Sequence, residues 1–94
     1  MELDIQHDQA HHRFLAVHED RESRLDYEPV GEKTLNFRST FVPEELRGRG
    51  IGGRIVRHAL EYARDHGFRV VPTCWFVKDF IVANPRFQAL VARE

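Results

Sequence analysis

Residues 42–53 read VPEELRGRGIGG and decide the fold, because a strand enters this segment and a helix leaves it. Gly48 and Gly50 lack a Cβ atom, so the backbone there can adopt positive φ and bring its N–H groups close to a ligand. The first amides of the following helix have no intrahelical acceptor, and the helix dipole makes that end partly positive. Arg47 and Arg49 add two planar guanidinium groups that suit phosphate oxygens. The segment therefore predicts a phosphate-binding cradle.

Two common phosphate motifs do not account for this segment. A Walker loop requires Lys followed by Ser or Thr after its last glycine, and neither pair follows Gly53, which argues against a nucleotide triphosphatase. Gly48, Gly50 and Gly53 do meet the Gly-x-Gly-x-x-Gly spacing of dinucleotide-binding folds. Such folds place the motif after their first strand and need more βα units than a chain of 94 residues can hold.

A family resemblance starts from the same residues. Residues 47–52, RGRGIG, match the Arg/Gln-x-x-Gly-x-Gly/Ala signature of the GCN5-related N-acetyltransferases, and residues 11–92 resemble the short single-domain members. In that family the backbone amides of this loop hold the pyrophosphate of acetyl-coenzyme A (acetyl-CoA). The resemblance implies an acetyl-CoA-dependent N-acetyltransferase that acts by direct transfer to an amine. A coenzyme A-binding sensor or interaction module with little catalysis is the alternative.

The resemblance also implies where the cofactor binds. In the family, two parallel strands splay apart and the pantetheine arm fills the gap, because separated strands expose backbone groups that an amide-bearing arm can satisfy. The strand that leads into the cradle would supply such groups at its end. The implied cofactor-binding residues are Phe41, Val42, Arg47, Gly48, Arg49, Gly50, Ile51, Gly52 and Gly53.

The sequence offers several candidate catalytic residues. Many family members supply a tyrosine acid from the helix after the fourth strand, whereas this chain offers Phe76 and Phe80 there. Cys74 lies at the end of that strand and is the candidate catalytic residue, as an acid or as a nucleophile that forms an acyl-cysteine. A purely structural role in packing is the alternative. Three carboxylates are further candidates for a base acting through water: Glu44, Glu45 and Asp79.

Hydrophobic periodicity predicts an α+β fold with one domain over residues 1–94. A strand with little polar alternation at residues 12–17 and two alternating strands at residues 23–28 and 32–42 are expected to form a three-strand antiparallel meander, with Phe37 and Phe41 facing inward. A helix over residues 50–66 then crosses over to a parallel, splayed fourth strand at residues 68–73. Two C-terminal helices follow, over residues 75–83 and from Pro85 onward. Residues 1–10 are expected to be a frayed end or a short lead-in strand.

The side of the protein from which the acceptor amine would approach is expected to be open. Larger family members place two helices between their first two strands, whereas this chain has only the charged turn His18–Glu22. An open side suits a lysine or the N-terminus of a macromolecule, or else the chain has no dedicated acceptor site.

The composition and charge of the chain indicate which classes of partner it can bind. The chain is 41% hydrophobic and 31% charged, with a net charge of -1, which is typical of a soluble globular protein. Residues 1–45 hold eleven acidic against five basic side chains, and residues 46–94 hold nine basic against four acidic. This uneven charge favours a discrete phosphate-bearing ligand over nucleic acid. An RNA-binding α+β domain is further disfavoured by the inward Phe37 and Phe41.

Location, assembly and metal content follow from the same sequence. No apolar run is long enough to cross a bilayer, and the N-terminus does not resemble a signal peptide, so we expect a cytoplasmic protein that is a monomer or a weak dimer and binds no membrane. The single cysteine excludes an intramolecular disulfide and a thiolate metal cage. His7, His11 and His12 suggest a metal site, but that spacing needs a helix and the segment looks extended, so no metal is expected.

Overall fold

The computed structural model describes residues 2–92 of the chain. The sheet has five strands in the order β1-β2-β3-β4-β5; the first four pair antiparallel and β4 pairs with β5 in parallel. The predicted meander and its parallel fourth partner are thus confirmed, and residues 1–10 contribute the short lead-in strand β1. The strands and helices are β1 (Gln6–Asp8), β2 (Arg13–His18), β3 (Arg21–Val30), β4 (Thr34–Phe41), a 3₁₀ helix (Glu44–Leu46), α1 (Ile51–Asp65), β5 (Arg69–Pro72), α2 (Trp75–Ala83) and a final 3₁₀ helix (Pro85–Leu90).

One hydrophobic cluster joins the inner face of the sheet to the helices. The apolar side chains along one stripe of α1 are buried, and α2 and the final 3₁₀ helix add Val77, Ile81 and Phe87. Side chains that alternate with the inner face, such as Glu28 and Arg38, are exposed. The helices therefore pack on the apolar face, and the polar face of the sheet is left accessible.

A β-bulge in β4 changes which residues face the core. Tyr27 lies opposite Phe37 and Asp26 lies opposite Ser39, so Arg38 is an extra residue in β4. Phe37 is fully buried, whereas Phe41 is 43% exposed and lies under the Arg24 guanidinium, 5.0 Å from the ring centroid. The prediction that Phe41 faces inward is wrong, because strict alternation does not continue past a bulge.

The parallel strands separate after four residue pairs. β4 and β5 pair from Thr34 opposite Arg69 to Phe37 opposite Pro72, and the Cys74 N–H then donates to the Phe37 carbonyl at 2.9 Å. β4 continues to Phe41 beyond this point without β5 beside it. The splayed geometry expected from the sequence is therefore present, and α2 begins directly beside the gap.

The opposite edge of the sheet is filled by aromatic side chains. The His7 ring stacks on Phe14 with centroids 4.1 Å apart, meets the edge of Tyr62 at 4.5 Å, and its Nε2 lies 2.6 Å from the Tyr27 hydroxyl. We call His7, Phe14, Tyr27 and Tyr62 the aromatic cluster. It ties β1 to β2, β3 and α1. Burial, together with the nearby imidazoles of His58 and His66, lowers the pKa of His7.

Two of the histidines near the N-terminus contact other side chains. His7 bonds to Tyr27, and His11 Nδ1 lies 2.9 Å from Asp8 Oδ2. Within residues 2–92, no three metal-ligating side chains lie close enough together to hold an ion. In the same described part of the chain, no helix has the length and apolar character required to span a membrane.

Candidate active site

A cleft of about 440 Å³ opens where β4 and β5 separate. Eight of the nine predicted cofactor-binding residues line it, together with Cys74, whereas Arg49 does not. Sequence reasoning missed Thr40, which the bulge in β4 turns toward the cleft, and Leu46, Trp75 and Phe76 as lining residues. The lining residues are Thr40, Phe41, Val42, Leu46, Arg47, Gly48, Gly50, Ile51, Gly52, Gly53, Cys74, Trp75 and Phe76.

The glycine segment forms a loop of free amides at the start of α1. Gly48 and Gly50 adopt φ of 82° and 77°, a left-handed conformation that favours glycine. The Gly50 carbonyl accepts from Arg54 N at 3.1 Å and closes the first turn, and no side chain caps the helix. Within residues 2–92, the amides that precede Arg54 in this turn donate to no backbone carbonyl. They are available to an anion, as the cradle requires.

Gly52 allows α1 to approach α2 closely. A Cβ atom at this position would lie 3.2 Å from Phe76 Cζ and 3.4 Å from Val42 Cγ2, which is tighter than ordinary contact. At Gly53 the corresponding atom would lie 3.7 Å from the Phe80 ring, an ordinary van der Waals distance. The wall of the cleft beside the cradle therefore depends on the missing side chain of Gly52.

The two arginines of the segment have different partners. Arg47 Nε donates to the Val42 carbonyl at 3.0 Å, and Arg47 lines the cleft. Arg49 Nη1 lies 3.4 Å from both carboxylate oxygens of Glu19, at the tip of the β2–β3 hairpin. The structure therefore brings Arg47 to the site, and it places Arg49 against Glu19 instead.

Cys74 lines the cleft and directly precedes α2. Its side chain is 9% exposed, and its Sγ lies 3.6 Å from Thr40 Oγ1. Arg47 and Cys74 are the only ionisable side chains among the lining residues, and no carboxylate or imidazole is among them. The candidate bases are exposed and lie outside the lining: Glu44, Glu45 and Asp79.

Comparison with known proteins assigns the family. The model of the GCN5-related N-acetyl-transferase family matches residues 13–90. The chain belongs to this family. Protein NATD1 of Xenopus tropicalis is 33% identical over 89 residues, covering 92% of this chain and 81% of the relative. Protein NATD1 of Homo sapiens is 30% identical over 88 residues, with coverages of 92% and 78%.

A solved structure supports the same fold. The NMR solution structure of a GCN5-like protein from Staphylococcus aureus superposes with a TM-score of 0.75 at 21% sequence identity, covering 98% of this chain and 90% of that chain. As a GCN5-related N-acetyltransferase, the protein is an acyltransferase. The free amides and the splayed strands thus occur in a fold whose family carries out acetyl transfer.

Proposed function

We propose that this acyltransferase uses acetyl-CoA and transfers the acetyl group directly to an amine in a ternary complex. The observation that carries the proposal is the run of free amides at the start of α1, beside strands that have already separated. In this arrangement the diphosphate lies on the amides of residues 48–53 with Arg47 beside it. The pantetheine arm extends along the free edge of β4.

The residues directly after β4 limit which backbone groups can bond to the thioester end of the arm. Directly after β4, the Val42 carbonyl is already bonded to Arg47 and Pro43 has no N–H, so among these groups the Val42 N–H is the one that can bond to the coenzyme. A backbone N–H at this position polarises the thioester carbonyl and stabilises the negative charge that develops on its oxygen. The thioester then lies close to Cys74 and Thr40.

The transfer requires one bond to form and one to break. The lone pair of a neutral amine attacks the thioester carbonyl carbon, the new C–N bond forms, and the C–S bond breaks as coenzyme A leaves with the electron pair. The Cys74 thiol gives its proton to the departing sulfur and recovers one, through solvent, from the nitrogen that has become an amide. Cys74 therefore acts as an acid and forms no acyl intermediate.

Titration with acetyl-CoA, followed by amide chemical shifts, tests the ligand and its location together. We expect the largest shifts at residues 48–53 and at Val42, with little change in β1. A titration that leaves the amides of residues 48–53 unshifted would overturn the proposal. Consumption of acetyl-CoA should rise with added amine; binding without amine-dependent consumption would favour the sensor alternative.

The role of Cys74 has its own test. Cys74→Ser should lower the rate of transfer while the shifts at residues 48–53 persist, and mass spectrometry after incubation with acetyl-CoA should find no acetyl group on the peptide that contains Cys74. An acetylated peptide would assign Cys74 as a nucleophile instead of an acid.

A further inference from the structure

We infer that the acceptor is the α-amine of a peptide or protein N-terminus, and that Thr73 and Asn36 bind it. This inference rests on the proposed function. It starts from a side-chain pair at the point where β4 and β5 separate, on the opposite face of the sheet from the hydrophobic core.

The pair lies where an acceptor would approach the thioester. Asn36 lies between the buried Leu35 and Phe37 and so points to the opposite face of β4. Its side-chain Oδ1 accepts a hydrogen bond of 2.6 Å from Thr73 Oγ1. Thr73 directly precedes Cys74, whose N–H makes the last backbone contact between the two strands.

The hydrogen bond leaves a donor and an acceptor side by side. Because the Thr73 hydroxyl donates to Asn36, its oxygen lone pairs remain free to accept. Because Asn36 Oδ1 is occupied, the Nδ2 group presents its N–H donors, which make no hydrogen bond within the described residues. A chain terminus offers the complementary pair: an amine that donates N–H to Thr73 and its own carbonyl that accepts from Asn36. In a lysine residue, the length of the side chain separates the ε-amine from the backbone carbonyl.

The composition of the cleft favours the same amine. None of its lining residues is a carboxylate or an imidazole that could remove a proton from an ammonium group. An acceptor must then arrive neutral, and an α-amine, with a pKa of about 7.7 to 8.0, is neutral in about one molecule in seven at pH 7. A lysine side chain, with a pKa of about 10.4, is neutral in about one in 2,500. The fraction of amine that is neutral, and can therefore react, is roughly 350 times larger for the α-amine than for the lysine side chain.

Access to the pair is open. Thr73 is exposed and Asn36 is half-buried, on the face of the sheet opposite the helices. No helix covers that part of the described structure. The end of a polypeptide can therefore reach Thr73 and Asn36 without a pocket of its own.

Two matched peptides test the inference. One has a free N-terminus and no lysine; the other has the same sequence with a blocked N-terminus and one internal lysine. We expect kcat/KM for the first peptide to exceed that for the second by at least about 100-fold at pH 7, and its rate to level off above about pH 8. Equal rates, or a rate that keeps rising toward pH 10, would overturn the inference.

Variants separate acceptor binding from coenzyme binding. Thr73→Val and Asn36→Leu should each raise the KM for the peptide by between about two- and tenfold, the effect of one hydrogen bond, while the KM for acetyl-CoA is unchanged. Thr73→Ser keeps the hydroxyl and should restore the parent KM, and Ser39→Ala, also on β4, is the control. An unchanged peptide KM in Thr73→Val would also overturn the inference. Failure of acetyl-CoA to shift the amides of residues 48–53 would instead refute the proposed function itself.

Discussion

The two edges of the sheet are built in opposite ways. At the β1 edge, the aromatic cluster fills the space between the strands and α1 with stacked rings and one short hydrogen bond. At the β5 edge, the strands separate and leave a cleft of about 440 Å³. The difference indicates that packing at the closed edge supplies stability, whereas the open edge leaves backbone groups for a ligand. Substitutions at the two edges should therefore have separable effects.

The largest expected effect is on stability at the closed edge. Phe14 is fully buried within the aromatic cluster, so Phe14→Ala should lower the free energy of unfolding by about 3 to 5 kcal/mol. Phe41→Ala, at the open edge, should cost no more than about 1 kcal/mol, because the ring is 43% exposed and its main partner is Arg24. Chemical denaturation of both variants measures the contrast. Equal losses would remove the distinction between the edges.

The second effect is on coenzyme binding and distinguishes the two arginines. Arg47→Ala should weaken acetyl-CoA binding by about 1.5 to 3 kcal/mol, the range for a hydrogen bond to a charged group. Arg49→Ala should weaken it by less than about 1 kcal/mol, because Arg49 pairs with Glu19 outside the cleft. Calorimetric titration of each variant checks the order. A larger loss of affinity in Arg49→Ala than in Arg47→Ala would mean that the Arg49 side chain leaves Glu19 and contacts the ligand.

A smaller effect, on stability and coenzyme binding, distinguishes the adjacent Gly52 and Gly53. Gly53→Ala should raise the free energy of unfolding by up to about 1 kcal/mol, since alanine favours the helix and its Cβ makes only ordinary contact with Phe80. Gly52→Ala should lose this gain and weaken coenzyme binding, because its Cβ displaces the Phe76 ring at the cleft. Thermal unfolding with and without acetyl-CoA compares the two variants. Identical behaviour would show that Phe76 can move aside freely.

The smallest effect is a pH dependence at the closed edge. The pKa of His7 is lowered in the folded protein, mainly by burial, so the unfolded chain binds the proton more readily. The contribution of neutral His7 to the free energy of unfolding is fully present above about pH 6.5, the pKa of histidine in the unfolded chain. It declines as the pH falls below that value. Denaturation at pH 7.5 and pH 5.5 should show this decline, and His7→Phe should reduce it. A decline of the same size in His7→Phe would assign it to other groups.

The sequence predicted features that depend on local patterns. The free amides before α1 follow from the glycine and arginine spacing, and the parallel strand follows from the crossover helix. The outward turn of Phe41 could not be predicted, because the bulge at Arg38 depends on the register with β3. The pairing of Arg49 with Glu19 and of Thr73 with Asn36 joins residues 30 and 37 positions apart, and local periodicity carries no information on such contacts.

The edge of β4 from Arg38 to Phe41 affects how readily the protein aggregates when no coenzyme is bound. A strand edge without a neighbour can pair with a strand of another molecule and start aggregation. A bound pantetheine arm would cover this edge as a surrogate strand. The solubility of the protein at high concentration would then depend on how much coenzyme A is present.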